Sequence, residues 1–281
     1  MFLIGSVASK LIQTVSGWNL AGGTFYGDID VSSNITNQAT GVQFSVDGTT
    51  MFVSDANPAK IFQYGLSTPW DVTTAVYSGK YYSIAQDSIL QDIFLTPDGL
   101  SLYIIGSNTD TMYQYTLTTA WDISTVVYAS KFKVVSSEDT TPGSLFFKPD
   151  GTKCFVSGIA SSRVYQYSLG TAWDISTASY DSKFLSYSPS PVYGAGLVFK
   201  PDGTKCYISG SYSQNVYQYS LGTAWDISTA SYDSIFLDDG GRYSSILGLF
   251  FKSDGTKLYG AGTSTTAPSY PPTIGEFLTT T

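Results

Sequence analysis

A nineteen-residue stretch, VYQYSLGTAWDISTASYDS at Val164–Ser182, recurs letter for letter at Val216–Ser234. Looser copies begin at Met112, Ile61 and, most worn, Leu11. The Trp of the motif falls at Trp18, Trp70, Trp121, Trp173 and Trp225, in steps of 52, 51, 52 and 52. An Asp-Gly turn keeps the same beat at Asp47, Asp98, Asp150, Asp202 and Asp254, in steps of 51, 52, 52 and 52. Two independent markers with one period define a repeat array. A period near 50 suits one four-stranded blade, so the chain reads as an all-β propeller.

Within a unit the order of strands is legible. In Gly196–Leu247 the first strand is GLVFK, Pro201-Asp202-Gly203 turns the chain, and KCYISG is the second strand. Pro presets φ in such a turn and Gly accepts the positive φ. The third strand is NVYQYSL, with Tyr217 and Tyr219 on one face and Gln218 on the other. The segment GTAWDIS leads to the fourth strand, ASYDSIFL.

One domain is expected over residues 1–281: a partial blade at 1–40, full repeats at 41–90, 91–142, 143–195 and 196–247, and a partial blade at 248–281. Five Asp-Gly hairpins imply five inner strands. The N-terminal partial unit then completes the C-terminal one. Second and third strands occur at both ends, so six blades with incomplete terminal ones, or a piece of a longer chain, is the alternative. Five is preferred because a sixth blade would lack its innermost strand.

Composition narrows the function. Net charge is −8, and only 13% of residues are charged. A chain that poor in Lys and Arg lacks the means to displace counterions from nucleic acid or to dock on anionic lipid. No run approaches the roughly 18 apolar residues of a membrane helix. The opening MFLIGSV lacks the basic flank of a signal peptide and reads as a strand. Cys154 and Cys206 hold the same place in successive units, too far apart for a bridge, and read as small buried hydrophobes. The redox compartment is left open.

The pattern Lys-Pro-Asp-Gly-Thr-Lys-x-aromatic-aliphatic, at Lys148–Val156 and Lys200–Ile208, resembles the core of YVTN-type propeller repeats. The added Ala-Trp-Asp-Ile-Ser-Thr-Ala-Ser-Tyr segment is similar to repeats of phage and marine-bacterial proteins of structural or unassigned role. The resemblance covers nearly the whole chain and implies the propeller fold. The first unit departs most, with Asn19 where later copies have Asp.

The repeated polar and aromatic residues have two readings each. Trp70, Trp121, Trp173 and Trp225 could present platforms for sugars, or wedge between blades while Asp71, Asp122, Asp174 and Asp226 cap their turns. The wedge is favoured. Gln63, Gln114, Gln166 and Gln218 could form a polar ring, but pairing with backbone between blades is the expectation.

Catalytic and metal-binding parts are sparse. With no His in the chain, the commonest general base and transition-metal ligand are missing and a Ser–His pair cannot form. Lactonase-like propellers hold a channel metal on carboxylates, Asn and His; here the inner strands offer one acid, Asp92. Asp28, Asp30 and Asn34 do not match an EF-hand spacing and read as solvated loop groups. No cofactor and no metal are expected.

The connections into each new blade differ in every unit and share one rim with the second-to-third-strand loops. Rim loops on a rigid ring are where propellers bind. Tyr187, Tyr193, Arg242 and Tyr243 supply the aromatic and Arg types enriched at contacts. The expectation is a non-enzymatic structural or binding propeller, a virion component such as a capsid or tail decoration, with recognition of a host surface as one role for it. A secreted carbohydrate-binding propeller is the alternative, and a lactonase-like hydrolase a remote one. Partners would be virion or surface proteins or cell-surface glycans, at a virion or extracellular location, with oligomers possible through the terminal strands.

Overall fold

Each unit folds into one antiparallel sheet because short alternating strands are separated by turns that only Gly, Pro and Asp tolerate well. The computed structural model describes residues 17–187, 194–210, 214–265 and 270–280. The first strand, β1 (Asn19–Asp30), precedes the first full blade. That blade is β2 (Ala39–Phe44), β3 (Thr50–Asp55), β4 (Lys60–Leu66) and β5 (Ala75–Ser83). The second is β6 (Leu90–Leu95), β7 (Ser101–Gly106), β8 (Thr111–Leu117) and β9 (Val126–Val134). The third is β10 (Pro142–Phe147), β11 (Lys153–Gly158), β12 (Arg163–Leu169) and β13 (Ala178–Ser186). The fourth is β14 (Gly194–Phe199), β15 (Lys205–Gly210), β16 (Asn215–Leu221) and β17 (Ala230–Asp238).

The fifth blade is β18 (Tyr243–Phe251), β19 (Lys257–Ser264) and β20 (Pro272–Thr280), and β1 supplies its outer strand. Asn19 stands opposite Thr280 and Asp30 opposite Thr273. The inner strands β2, β6, β10, β14 and β18 meet in a ring, with β18 against β2. The fold is therefore a five-bladed propeller closed by β1. The expected extra strands at residues 1–16 lie outside the described residues.

The core sits between blades. Phe44, Tyr64 and Val53 of the first blade pack with Tyr259 and Ile274 of the fifth. Val198 and Tyr207 of the fourth pack with Phe251 and Leu258 of the fifth. Burying each large side chain contributes roughly 1.5–3 kcal/mol, so the apolar faces alone drive the blades together. Cys154 and Cys206 are free and buried, Cys154 in the core between the second and third blades and Cys206 in that between the third and fourth.

The Asp-Gly hairpin locks the Trp. Asp47 accepts the Thr49 N–H at 3.0 Å, and Gly48 takes φ +71°. A Cβ on Gly48 would lie 2.3 Å from the Trp70 indole, so only Gly fits both the turn and the ring above it. Trp70 itself has φ +64°, and its N–H donates to the Gly48 carbonyl at 3.0 Å. The same bond recurs in every blade; in the fifth, Trp18 reaches Gly255 at 2.9 Å.

Polar groups then staple each blade to the next. Gln63 Oε1 accepts the Ile123 N–H at 3.0 Å, Gln114 that of Ile175 at 3.2 Å, and Gln166 that of Ile227 at 3.0 Å. Gln218 takes the Leu20 N–H at 3.2 Å. Glu276 holds the fifth place and accepts the Val72 N–H at 3.2 Å, completing the circle. Burial pushes the Glu276 carboxyl up, against the pull of Lys257 at 2.5 Å. On the outer strands Lys80, Lys131 and Lys183 reach Asp122, Asp174 and Asp226 at 2.7, 2.7 and 2.5 Å. These lysine hydrogen bonds hold the three carboxylates below their usual range. At the two seams of the fifth blade Ile235 and Gly27 stand where the lysines would be.

Candidate functional site

The repeated Trp-Asp pairs are mainly structural. Asp71 caps its 3-10 turn by accepting the Thr73 N–H, and Asp122, Asp174 and Asp226 do the same for Ser124, Ser176 and Ser228. Asn19 substitutes without loss, its Oδ1 accepting the Ala21 N–H at 3.0 Å. Each Trp wedges against the preceding blade. Tyr259 donates to the Trp70 carbonyl at 2.8 Å, Tyr103 to that of Trp173 at 2.6 Å and Tyr207 to that of Trp18 at 2.5 Å. Phe52 and Phe155 pack at the two remaining wedges, 6.3 Å from Trp121 and 6.2 Å from Trp225. Trp18 is buried and the other four are half-buried. Trp18, Trp70, Trp121 and Trp173 therefore also line the space above the channel.

That space is an aromatic funnel of about 210 Å³, open to solvent on the face of the Asp-Gly turns. Its wall is set by one equivalent position on each inner strand: Gln43, Phe94, Phe146, Val198 and Phe250. Three of the five are Phe. Phe250 lies stacked on Trp70 at 6.2 Å, Phe94 on Trp173 at 6.3 Å and Phe146 on Trp225 at 6.5 Å. Val198 is short, which leaves room, and Gln43 is polar. The lip carries Pro97, Pro149, Pro201 and Val46, and Val46 is 64% exposed. No ionisable side chain is among the described residues lining this funnel.

Below the funnel the channel narrows to small residues. Two positions before the funnel residues the inner strands carry Gly41, Asp92, Ser144, Gly196 and Gly248. The Asp92 carboxylate fills the gap these leave. It accepts Ser144 Oγ at 2.5 Å and the N–H groups of Ile93 and Leu145 at 2.8 and 3.4 Å. Ser144 in turn accepts the Leu197 N–H at 3.2 Å, so one polar chain links three blades. Burial pushes Asp92 up to about 7, against the opposing pull of those hydrogen bonds. A Cβ on Gly41 would come 2.5 Å from Asp92 Oδ1, so the carboxylate also blocks its neighbour's side of the waist.

The opposite rim holds the variable loops, and buried acids cinch them. Asp87 accepts the N–H groups of Ile89, Asn108 and Thr109, tying the connection between blades to the second-to-third-strand loop. Asp139 does the same for Thr141, Ala160 and Ser161, and Asp55 for Thr36, Asn37 and Gln38. Sequence reasoning missed these anchors, because Asp87 and Asp139 lie in dissimilar loops while Asp55 ends β3, so no common motif marks them.

The expected contact residues do not converge. Tyr187 is half-buried beside the third blade and donates to the Gly158 carbonyl at 2.7 Å. Arg242 is exposed, with its guanidinium 4.2 Å from the Phe25 ring centre at the fifth blade. Tyr243 is not a rim contact: it is 1% exposed, because β18 starts at this residue and turns the ring inward toward Phe277. Tyr193 lies outside the described residues. Asp30 accepts the Ser32 N–H and Asn34 the Ser33 hydroxyl, which are local loop bonds. Among the described residues no group of three or more His, Cys, Asp or Glu lies close enough to hold a metal ion.

No protein-family model and no curated protein sequence matches the chain. Solved structures do. A functionally unknown protein from Desulfotomaculum acetoxidans aligns with a TM-score of 0.50 at 14% identity, over 80% of this chain and 65% of that one. A candidate 6-phosphogluconolactonase from Bacteroides uniformis gives 0.51 at 14%, over 86% and 72%. The Cps50 (Swd1) β-propeller domain of Myceliophthora thermophila gives 0.51 at 8%, over 92% and 100%. The chain spans just under two thirds of the first of these. At such identities the likeness is one of fold, that of a β-propeller, and this chain builds it with five blades.

Proposed function

We propose that this chain is a non-enzymatic recognition and structural propeller that holds a protein partner on its turn face. The observation that carries the reading is the funnel. Apart from Gln43 its wall is aromatic and aliphatic, with no acid, base or nucleophile among its described residues other than the hydroxyl of Ser253. Such a surface binds by burial and shape rather than by proton transfer. The repeated Asp, Gln and Lys groups cap turns and join blades, and the Trp rings that reach the funnel add only apolar surface and an indole N–H to it.

The finer reading is a virion component, a capsid or tail decoration, with an extracellular surface protein as its variant. It draws on the resemblance of the repeat and on the apolar belt around the outer strands. Tyr81, Phe132, Phe184 and Phe236 hold one place in four blades and are 40–53% exposed. Bands of exposed apolar side chains mark contact surfaces, and the free edges of outer strands add unpaired backbone groups that a partner strand can meet.

Light scattering on the purified protein, with a glycan array on the same sample, tests this. Self-association or dependence on a partner, with a silent array, is the expected result. A stable monomer that binds one defined sugar overturns it in favour of the lectin reading. Turnover of lactone substrates that disappears in Asp92→Asn overturns it in favour of a hydrolase.

A further inference from the structure

The funnel is five-fold in backbone but not in chemistry. Gln43 breaks the ring of Phe, and it is 8% exposed. Its amide makes no hydrogen bond to any described residue and faces the cavity. Solvent reaches this amide through the open funnel, so a ligand that displaces the water must supply a hydrogen bond in its place. The four repeated amides, Gln63, Gln114, Gln166 and Gln218, are paired within the fold, whereas the Gln43 amide is left to bond what enters the cavity. Two blades away, Val198 supplies the room that a fourth Phe would otherwise fill.

We infer that the funnel seats one Tyr or Trp side chain of the protein partner, its ring beside Val198 and Phe250 and its hydroxyl or indole N–H bonded to the Gln43 amide. This rests on the recognition reading above. The size fits: a cavity of roughly 150 Å³ accepts benzene, and about 210 Å³ leaves space for a phenol or indole. Phe or Leu would leave the amide unpaired. A charged side chain would be desolvated with no counter-charge among the lining residues. A sugar brings several hydroxyls to one polar group. A free small molecule would leave the exposed Val46 and the proline lip uncovered, whereas a loop that delivers the side chain covers them.

The test uses the intact protein and side-chain mimics, read by the indole N–H signals of the Trp residues in nitrogen-edited NMR. The probes are p-cresol, 3-methylindole, toluene and a capped Gly-Gly-Tyr-Gly-Gly peptide. p-Cresol and 3-methylindole should shift the Trp18, Trp70, Trp121 and Trp173 signals and bind more tightly than toluene. Gln43→Leu should cut that preference about fivefold, the worth of one net hydrogen bond of about 1 kcal/mol. Val198→Phe should abolish binding of all four probes while the amide spectrum stays that of the folded ring. Equal affinity for p-cresol and toluene, unchanged by Gln43→Leu, overturns the Tyr/Trp assignment but leaves the funnel a binding site. Cresol binding that is tighter than peptide binding replaces a partner's side chain with a free phenol and overturns the inference. If no probe binds up to its solubility limit, the funnel is not a recognition site and the reading beneath the inference fails as well.

Discussion

Asp92 makes the acid–base behaviour of the ring measurable. In an unfolded chain an Asp titrates near 3.9, whereas burial holds Asp92 at about 7 in the folded ring. Between roughly pH 4 and pH 7 the native state therefore binds more protons at this site than the unfolded state does. Stability contributed by the site is fully present in acid, falls as pH rises through that window and is flat above it. The full difference, about 3 pKa units at 1.36 kcal/mol each, is about 4 kcal/mol. Among the described residues no charged group shares the site: Gly41 faces it from β2, and Ser144 and Leu145 from β10.

Asp92→Asn isolates the effect. The amide oxygen can still accept the Ile93 N–H, and the amide nitrogen can donate to Ser144 Oγ, so packing is kept while the titration is removed. Urea unfolding of both proteins at pH 4.5 and pH 8 gives the difference in stability. That difference should move in favour of the variant by about 3 kcal/mol from the lower pH to the higher. Contributions from the many other carboxylates cancel between the two proteins. A difference that is constant with pH would refute the reasoning, because it would mean that Asp92 is hydrated and titrates as an ordinary surface acid.

Two further outcomes follow from the joints between blades. Gln166→Leu leaves the buried Ile227 N–H without an acceptor and should lower unfolding stability by about 1–3 kcal/mol in urea titration; a neutral result would mean that this staple is dispensable. Tyr103→Phe removes the bond to the Trp173 carbonyl and should destabilise by about 1 kcal/mol without loss of the fold. Phe already occupies the equivalent places at Phe52 and Phe155, so an unfolded variant would contradict the equivalence of the blades.

What sequence alone conveys divides along a physical line. The blade, its turns and its caps are set by local chemistry, so Gly48, Asp71 and the alternation of Tyr217, Gln218 and Tyr219 were readable. The inter-blade role of the glutamines was also within reach, since a buried amide must pair; Glu276 at the fifth place was the element overlooked. The funnel was not readable. Gln43 and Val198 look like ordinary strand residues until the inner strands are brought around one axis and equivalent positions face each other. Tyr243 was misplaced for the converse reason. A Tyr after Gly-Gly-Arg resembles a loop residue, and only the greater length of β18 draws it inside.

The join between β1 and β20 also decides how the ring would yield under tension. Asn19 and Thr280 face each other at one end of an antiparallel ladder. A pull that separates those two residues does not slide the strands past one another. It opens the rungs one after another from that end, as a zip fastener opens. The lysine–aspartate latches that brace the three inner joints are missing beside this strand. The fifth blade is thus a mechanical fuse: load carried through it should part β1 first, at low force, and leave four intact blades that can re-close when the load is released.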